Sequence, residues 1–247
     1  MTKSAETAHD LVVFGAPSFV GQILTRYLLE TYGVGKSVKW AIAGRSESKL
    51  NALKSELGDN GKDLPVILAD ASDEAALKSM CEQTRVIIST VGPYALYGEP
   101  LVQACVRSGT DYCDLTGEVQ WIGKMVQRYE EEAKASGARI VHCCGFDSIP
   151  SDMGVWFLQN QAEQTFGEPC RDVRMRVKTA KGEFSGGTVA SLMNAVKEAS
   201  ADPKLRKQMA NPFSICPPEH RSKTRQPSLK GAEFDKTFNA WLAPFVM

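Results

Sequence analysis

The sequence has no excess of either charge, few histidines and no long apolar run. Lys+Arg and Asp+Glu each number 29, so there is no basic footprint for nucleic acid and no like-charge run suggesting an interaction tail. The three histidines, His9, His142 and His220, lie far apart, and neither Cys-x-x-Cys nor His-Glu-x-x-His occurs. No metal site is expected from such spacing. Seven scattered cysteines, with Cys143 and Cys144 adjacent, do not form a disulfide framework and point to a reducing compartment. No stretch of about 18 apolar residues occurs, and the first residues are polar and lead straight into an apolar run, so neither a membrane span nor a signal peptide is expected. The expectation is a cytoplasmic protein acting on small molecules, with peripheral membrane contact left open.

The 247 residues, 43% hydrophobic and 23% charged, are enough for a full globular core. Short apolar runs at Leu11–Phe14, Val38–Ala43, Val66–Ala69, Val86–Thr90, Asp111–Leu115 and Arg139–Cys143 read as strands. Between them, helical spacing predicts helices over about Phe19–Glu30, Glu47–Leu57, Asp73–Cys81, Pro100–Ser108 and Gln120–Ser136. Gly109 and Gly137 stand where helix C-terminal glycines belong. Near-continuous apolar strands separated by helices imply a parallel sheet covered on both faces. The fold class is therefore α/β, a Rossmann doubly wound parallel sheet with strand order 3-2-1-4-5-6.

The pattern changes after Asp147. Ser151–Phe166 and Thr188–Ser200 read as helices, Arg171–Lys178 alternates like a strand, and Asn211–Lys236 has the Pro, Lys, Arg and Ser content of a loop or lid. Residues 1–150 are thus expected to form a dinucleotide-binding domain. Residues 151–247 read as the start of an α+β substrate or dimerisation domain, incomplete because the chain stops in the apolar segment Trp241–Met247.

The segment from Leu11 to Gly21 reads as strand, glycine turn and helix start. Gly15 would make the tight bend and Gly21 would allow close helix–strand packing, while Ser18 stands at the middle glycine position. The Ser18 hydroxyl is suited to capping the helix or bonding a phosphate, with the Phe19 and Val20 amides facing the anion. The next strand ends in Gly44-Arg45-Ser46 rather than in a carboxylate. An acidic residue there would bind both ribose hydroxyls, whereas Arg45 would grip a 2′-phosphate with help from Ser46. The expected cofactor is NADP. Asp70-Ala71 would border the adenine and Thr90-Val91-Gly92 the nicotinamide, because ligands bind beyond the carboxyl ends of such strands.

Longer motifs carry a resemblance. Ser89-Thr90-Val91-Gly92-Pro93-Tyr94, Tyr112-Cys113-Asp114-Leu115-Thr116-Gly117-Glu118, Cys144-Gly145-Phe146-Asp147-Ser148-Ile149-Pro150-Ser151-Asp152 and Phe184-Ser185-Gly186-Gly187-Thr188 are similar to those of the saccharopine dehydrogenase-like oxidoreductases. The resemblance runs from about Asp10 to the end and implies an N-terminal NADP-binding Rossmann domain in a longer protein. The family includes saccharopine reductases of lysine metabolism, trans-acting enoyl reductases of lipid assembly and members of unclear substrate. It implies a reaction type rather than a substrate.

Hydride transfer asks the protein to hold the nicotinamide against the substrate and to handle one proton. Tyr94, Asp114 and Asp147 fall at or after strand ends and are the expected catalytic residues, with Glu118 and Asp152 in the same zone. Tyr94 is the leading choice for lining the reactive pocket. Competing roles are helix capping for Asp147 and Asp152, and loop ordering through backbone amides for Asp114 and Glu118. His142, beside Cys143-Cys144, has no evident base near it in sequence and is expected in the core. The Tyr32-x-x-x-Lys36 spacing follows the first helix rather than a late strand, and Gly35-Lys36-Ser37 lacks a P-loop's upstream glycine.

Three functional readings follow. The first is an NADP-dependent oxidoreductase, homodimer formation left open, that delivers hydride to a small or lipid-linked substrate. The others are a trans-acting enoyl reductase of lipid biosynthesis and a non-catalytic NADP-binding module.

Overall fold

The structure, a computed structural model, describes residues 7–179, 181–182, 185–223 and 231–244. Its first part runs β1 (His9–Phe14), α1 (Phe19–Tyr32), β2 (Trp40–Gly44), α2 (Glu47–Glu56), β3 (Val66–Leu68), α3 (Glu74–Glu82) and β4 (Thr84–Ser89). There follow α4 (Tyr94–Tyr97), α5 (Glu99–Ser108), β5 (Asp111–Asp114), α6 (Val119–Ser136) and β6 (Ile140–Val141). The six strands form one sheet in the order β3-β2-β1-β4-β5-β6, and every pairing in it is parallel. This is the doubly wound order expected from the strand–helix alternation.

Pleating sends successive residues of the central strand to opposite layers. Val12 and Phe14 pack with Leu77, Met80, Leu101, Val106 and Met125 of α3, α5 and α6. Val13 faces the other way and joins Leu28, Leu50 and Leu53 of α1 and α2. Both layers are buried, so the central runs of β1 and β2 read as continuous apolar stretches rather than alternating ones.

Helix ends follow local chemistry. Ser18, Ser46 and Asp73 each accept an amide proton in the first turn of the helix they precede, and Gly109 and Gly137 end α5 and α6 in the left-handed conformation. The four-residue α4, too short to show a period, was not foreseen.

The second part contains α7 (Ile149–Phe166), α8 (Gly186–Ala201), α9 (Pro203–Met209) and a hairpin of β7 (Glu233–Asp235) with β8 (Ala240–Leu242). The two long helices appear where periodicity placed them, whereas the strand expected over Arg171–Lys178 does not form. Alternation makes a strand only when a neighbouring ladder receives its amides, and here an ion pair from Arg176 to Asp235 at 3.0 Å ties the extended segment to β7. Part of the expected loop is regular, since β7 occupies its end. Phe184 of the family motif and the last three residues lie outside the described residues. Among those described, no helix is long and apolar enough to cross a membrane.

Candidate functional site

Parallel pairing puts the carboxyl ends of all six strands along one edge of the sheet. The turns after β1, β2, β3, β4, β5 and β6 therefore gather Gly15, Arg45, Asp70, Thr90, Leu115 and His142 on that edge. This is where such sheets bind ligands.

The turn after β1 is closely packed. Gly15 has φ +87°, and a Cβ added there would lie 2.7 Å from Val91 and 2.8 Å from the Thr90 hydroxyl. A Cβ on Gly21 would meet the Gly15 carbonyl oxygen at 2.3 Å, so any side chain would push α1 off the strand. Ser18 Oγ accepts the Gly21 amide at 3.0 Å and bonds Thr90 Oγ1 at 2.9 Å. Thr90 in turn donates to the Gly15 carbonyl at 2.9 Å. The Ser18 hydroxyl is thus used within the protein, as a helix cap and as a link between the β1 and β4 turns. The Phe19 and Val20 amides, by contrast, meet no acceptor among the described residues. Two free amides at the start of a helix make an anion cradle, and Phe19 is 69% exposed beside it.

Gly44 ends β2 buried, and Arg45 follows it exposed. Among the described residues Arg45 makes no hydrogen bond or ion pair, and its charge acts on Asp70. Ser46 is committed to capping α2 through the Lys49 amide at 3.4 Å. The Ser72 amide and hydroxyl, bonded to Asp70 at 2.9 and 2.7 Å, hold its carboxyl below the usual range, with Arg45 adding to the effect. Ala71 lies half-buried beside it. A free guanidinium next to a free helix N-terminus fits a diphosphate carrying one further phosphate on its ribose.

The loop after β4 runs from Thr90 through Val91 and Gly92 into α4, across a cis Gly92–Pro93 bond. Tyr94, expected in the reactive pocket, is instead 5% exposed and turned inward. Its hydroxyl donates to the Ser89 carbonyl at 3.0 Å, its ring lies 5.5 Å from that of Trp121, and burial together with the Asp114 charge pushes its pKa far above the ordinary value. In this geometry Tyr94 packs and braces the loop. Glu118 caps α4, accepting the Tyr94 and Ala95 amides at 2.8 and 2.9 Å.

Asp114 is 1% exposed. It accepts the Tyr112 hydroxyl at 2.9 Å, the Thr116 amide at 3.1 Å, the Cys143 amide at 3.2 Å and Nδ1–H of His142 at 2.7 Å. The partner of His142 is therefore the carboxylate at the end of the neighbouring strand. Adjacency explains it: Cys113 is opposite Val141, which sets Asp114 beside His142. The His142 ring packs edge-on against Trp121 at 4.9 Å. Burial pushes the Cys113 thiol up to about 12 and raises those of Cys143 and Cys144, so these sulfurs stay protonated. Asp147 is exposed just before α7, and neither it nor Asp152 caps that helix.

The family described as the saccharopine dehydrogenase NADP-binding domain matches residues 11–141, just over half of the chain. The chain belongs to that family. Its first part is thus a saccharopine dehydrogenase NADP-binding domain, and the cofactor is NADP.

A Mycobacterium tuberculosis protein, Rv2449c, is 38% identical over 244 residues, 96% of this chain and 58% of its own length. The trans-acting enoyl reductase of Mycobacterium bovis BCG is 40% identical over 212 residues, 85% of this chain and 50% of its own. The chain therefore spans little more than half the length of these relatives. Apo saccharopine dehydrogenase (L-Glu forming) from Saccharomyces cerevisiae superposes with a TM-score of 0.50 at 18% identity, over 63% of this chain and 32% of the yeast one. That likeness concerns the fold.

Proposed function

We propose that this saccharopine dehydrogenase family member is an NADP-dependent oxidoreductase that reduces a carbon–carbon double bond in an acyl substrate. The observation that carries the reading is that the Phe19 and Val20 amides and the Arg45 guanidinium, none with a hydrogen-bond partner among the described residues, share the carboxyl edge of the parallel sheet, where such sheets bind ligands. The acyl substrate is proposed from relatives named trans-acting enoyl reductase at up to 40% identity.

In this reading the amides of Phe19 and Val20 hold the diphosphate, with Gly15 and Gly21 keeping the cradle close and Ser18 fixing its shape. Arg45 takes the 2′-phosphate, Gly44 and Ser46 set the turn that aims it, and Asp70-Ala71 borders the adenine. Thr90, Val91 and Gly92 border the nicotinamide. When bound, NADPH supplies the hydride.

Of the three residues expected to move a proton, Asp147 alone keeps its carboxylate open at the strand-end edge, and it is assigned that role. Asp114 acts through His142, holding the imidazole in one orientation, and Tyr94 braces the loop. Residues 1–150 serve as the cofactor domain, and 151–247 open the domain that presents the substrate. A reducing, cytoplasmic setting suits the seven scattered cysteines, among which Cys81 and Cys105 hold their sulfurs in hydrogen-bond contact at 3.6 Å.

Titration with NADPH and NADH, followed by nicotinamide fluorescence, tests the cofactor assignment. Arg45→Ala is expected to weaken NADPH roughly 10- to 100-fold, the loss of a charge-assisted pair, while leaving NADH nearly unchanged. An unaltered preference in the variant would overturn the assignment of Arg45. Oxidation of NADPH on adding enoyl thioesters, diminished in Asp147→Asn, tests the reaction.

A further inference from the structure

We propose that Ser191 of α8 sets the shape of the nicotinamide-side loop through Glu118, which makes it a positioning residue for that half of the dinucleotide. The inference rests on the assignment of Thr90–Gly92 to the nicotinamide made above. Pro93 stands at the N-cap of α4 and offers no side-chain acceptor. The cap comes instead from Glu118, a residue 6% exposed. Its Oε1 accepts both the Tyr94 amide and the Ser191 hydroxyl at 2.8 Å, and its Oε2 accepts the Ala95 amide at 2.9 Å.

A buried carboxylate depends on its donors, so its orientation responds to each of them. Two of these donors begin the helix that ends the cofactor loop. The third reaches in from the second part of the chain. Ser191 also lies over the loop itself, its Oγ 3.9 Å from the Cβ position of Gly92.

One turn on, Asn194 Nδ2 is buried without an acceptor among the described residues. The far end is secured by Gln120 donating to Glu198 at 3.0 Å. The contact is thus bonded at its two ends, and the end at Ser191 is the one joined to the loop. Neither the turn after β1 nor Arg45 shares a hydrogen bond with α8 among the described residues, so the adenine half lies outside this coupling.

The test compares NADPH with 2′,5′-ADP, which carries the adenine half and its extra phosphate but no nicotinamide, on the full chain and on Ser191→Ala and Ser191→Thr. Ser191→Ala is expected to weaken NADPH about 5- to 10-fold, as loss of one typical hydrogen bond does, and to change 2′,5′-ADP less than about 2-fold. Ser191→Thr, which keeps the hydroxyl, should restore NADPH. Equal weakening of both ligands, or no weakening of NADPH, would overturn the inference while leaving the cofactor reading intact. Failure of the unaltered chain to bind NADPH would overturn both.

Discussion

Asp114 shows how much one side chain can organise. A single buried carboxylate joins Tyr112 on its own strand, the Thr116 amide in the following loop, and His142 and the Cys143 amide beyond the next strand. Cys143 has φ +61° without being a glycine, a conformation that costs about 1 kcal/mol. The Asp114 bond to its amide is one of the contacts that hold it there. Asp114→Asn would turn an amide donor toward some of these donors. A loss of about 2–3 kcal/mol in unfolding free energy is expected, measured by urea denaturation. The same change should release the His142 ring, seen as a shift in its imidazole NMR signals. Unchanged stability would mean that the hub is replaceable. Tyr94 makes the opposite point, since its position after Gly92-Pro93 suited a reactive tyrosine, whereas its buried hydroxyl donates to the Ser89 carbonyl.

At the scale of elements, the sheet edge at β6 has an electrostatic fastening. Asp111, at the start of β5, accepts from the Arg139 backbone amide at 2.9 Å and from its guanidinium Nε at 3.0 Å. Burial pushes the Asp111 carboxyl up, but the Arg139 bonds and charge outweigh it and the net shift is downward. A carboxyl whose pKa is lower in the folded state contributes stability above its unfolded value, about 3.9, and loses it as pH falls through the folded value. Asp111→Asn should therefore cost about 1 kcal/mol at pH 7, discounted because Arg139 is largely exposed. The difference from the unaltered chain should shrink in melts as pH falls below the unfolded value and through the lower folded one. A constant difference across that range would show that the carboxyl titrates alike in both states.

For the whole molecule, stability is unevenly distributed. Apart from Ala162, the buried hydrophobic residues among those described all fall between Val12 and Ala138. The helix α7, by contrast, leaves Trp156 62% and Phe157 61% exposed. Local opening follows buried apolar contact, so limited proteolysis is expected to cut first in the irregular described segment 167–179 and to leave a resistant fragment containing β1 to β6. Early cleavage within that sheet would contradict the distribution of the core.

The sequence alone determined the doubly wound sheet, because apolar runs of strand length alternate with amphipathic helical spacing and parallel connections allow few topologies. Gly15 and Gly21 were also legible, since a tight turn and a close helix–strand approach each demand a residue without a side chain. The tertiary structure decided what depends on which residues meet across the fold. Strand register set Asp114 beside His142, packing turned the Tyr94 hydroxyl inward, and the absence of a neighbouring ladder left Arg171–Lys178 without a strand. It also brought Ser191 to Glu118, residues 73 positions apart in the chain. Local chemistry is written residue by residue, whereas contacts between distant residues arise only from the packing of the finished fold.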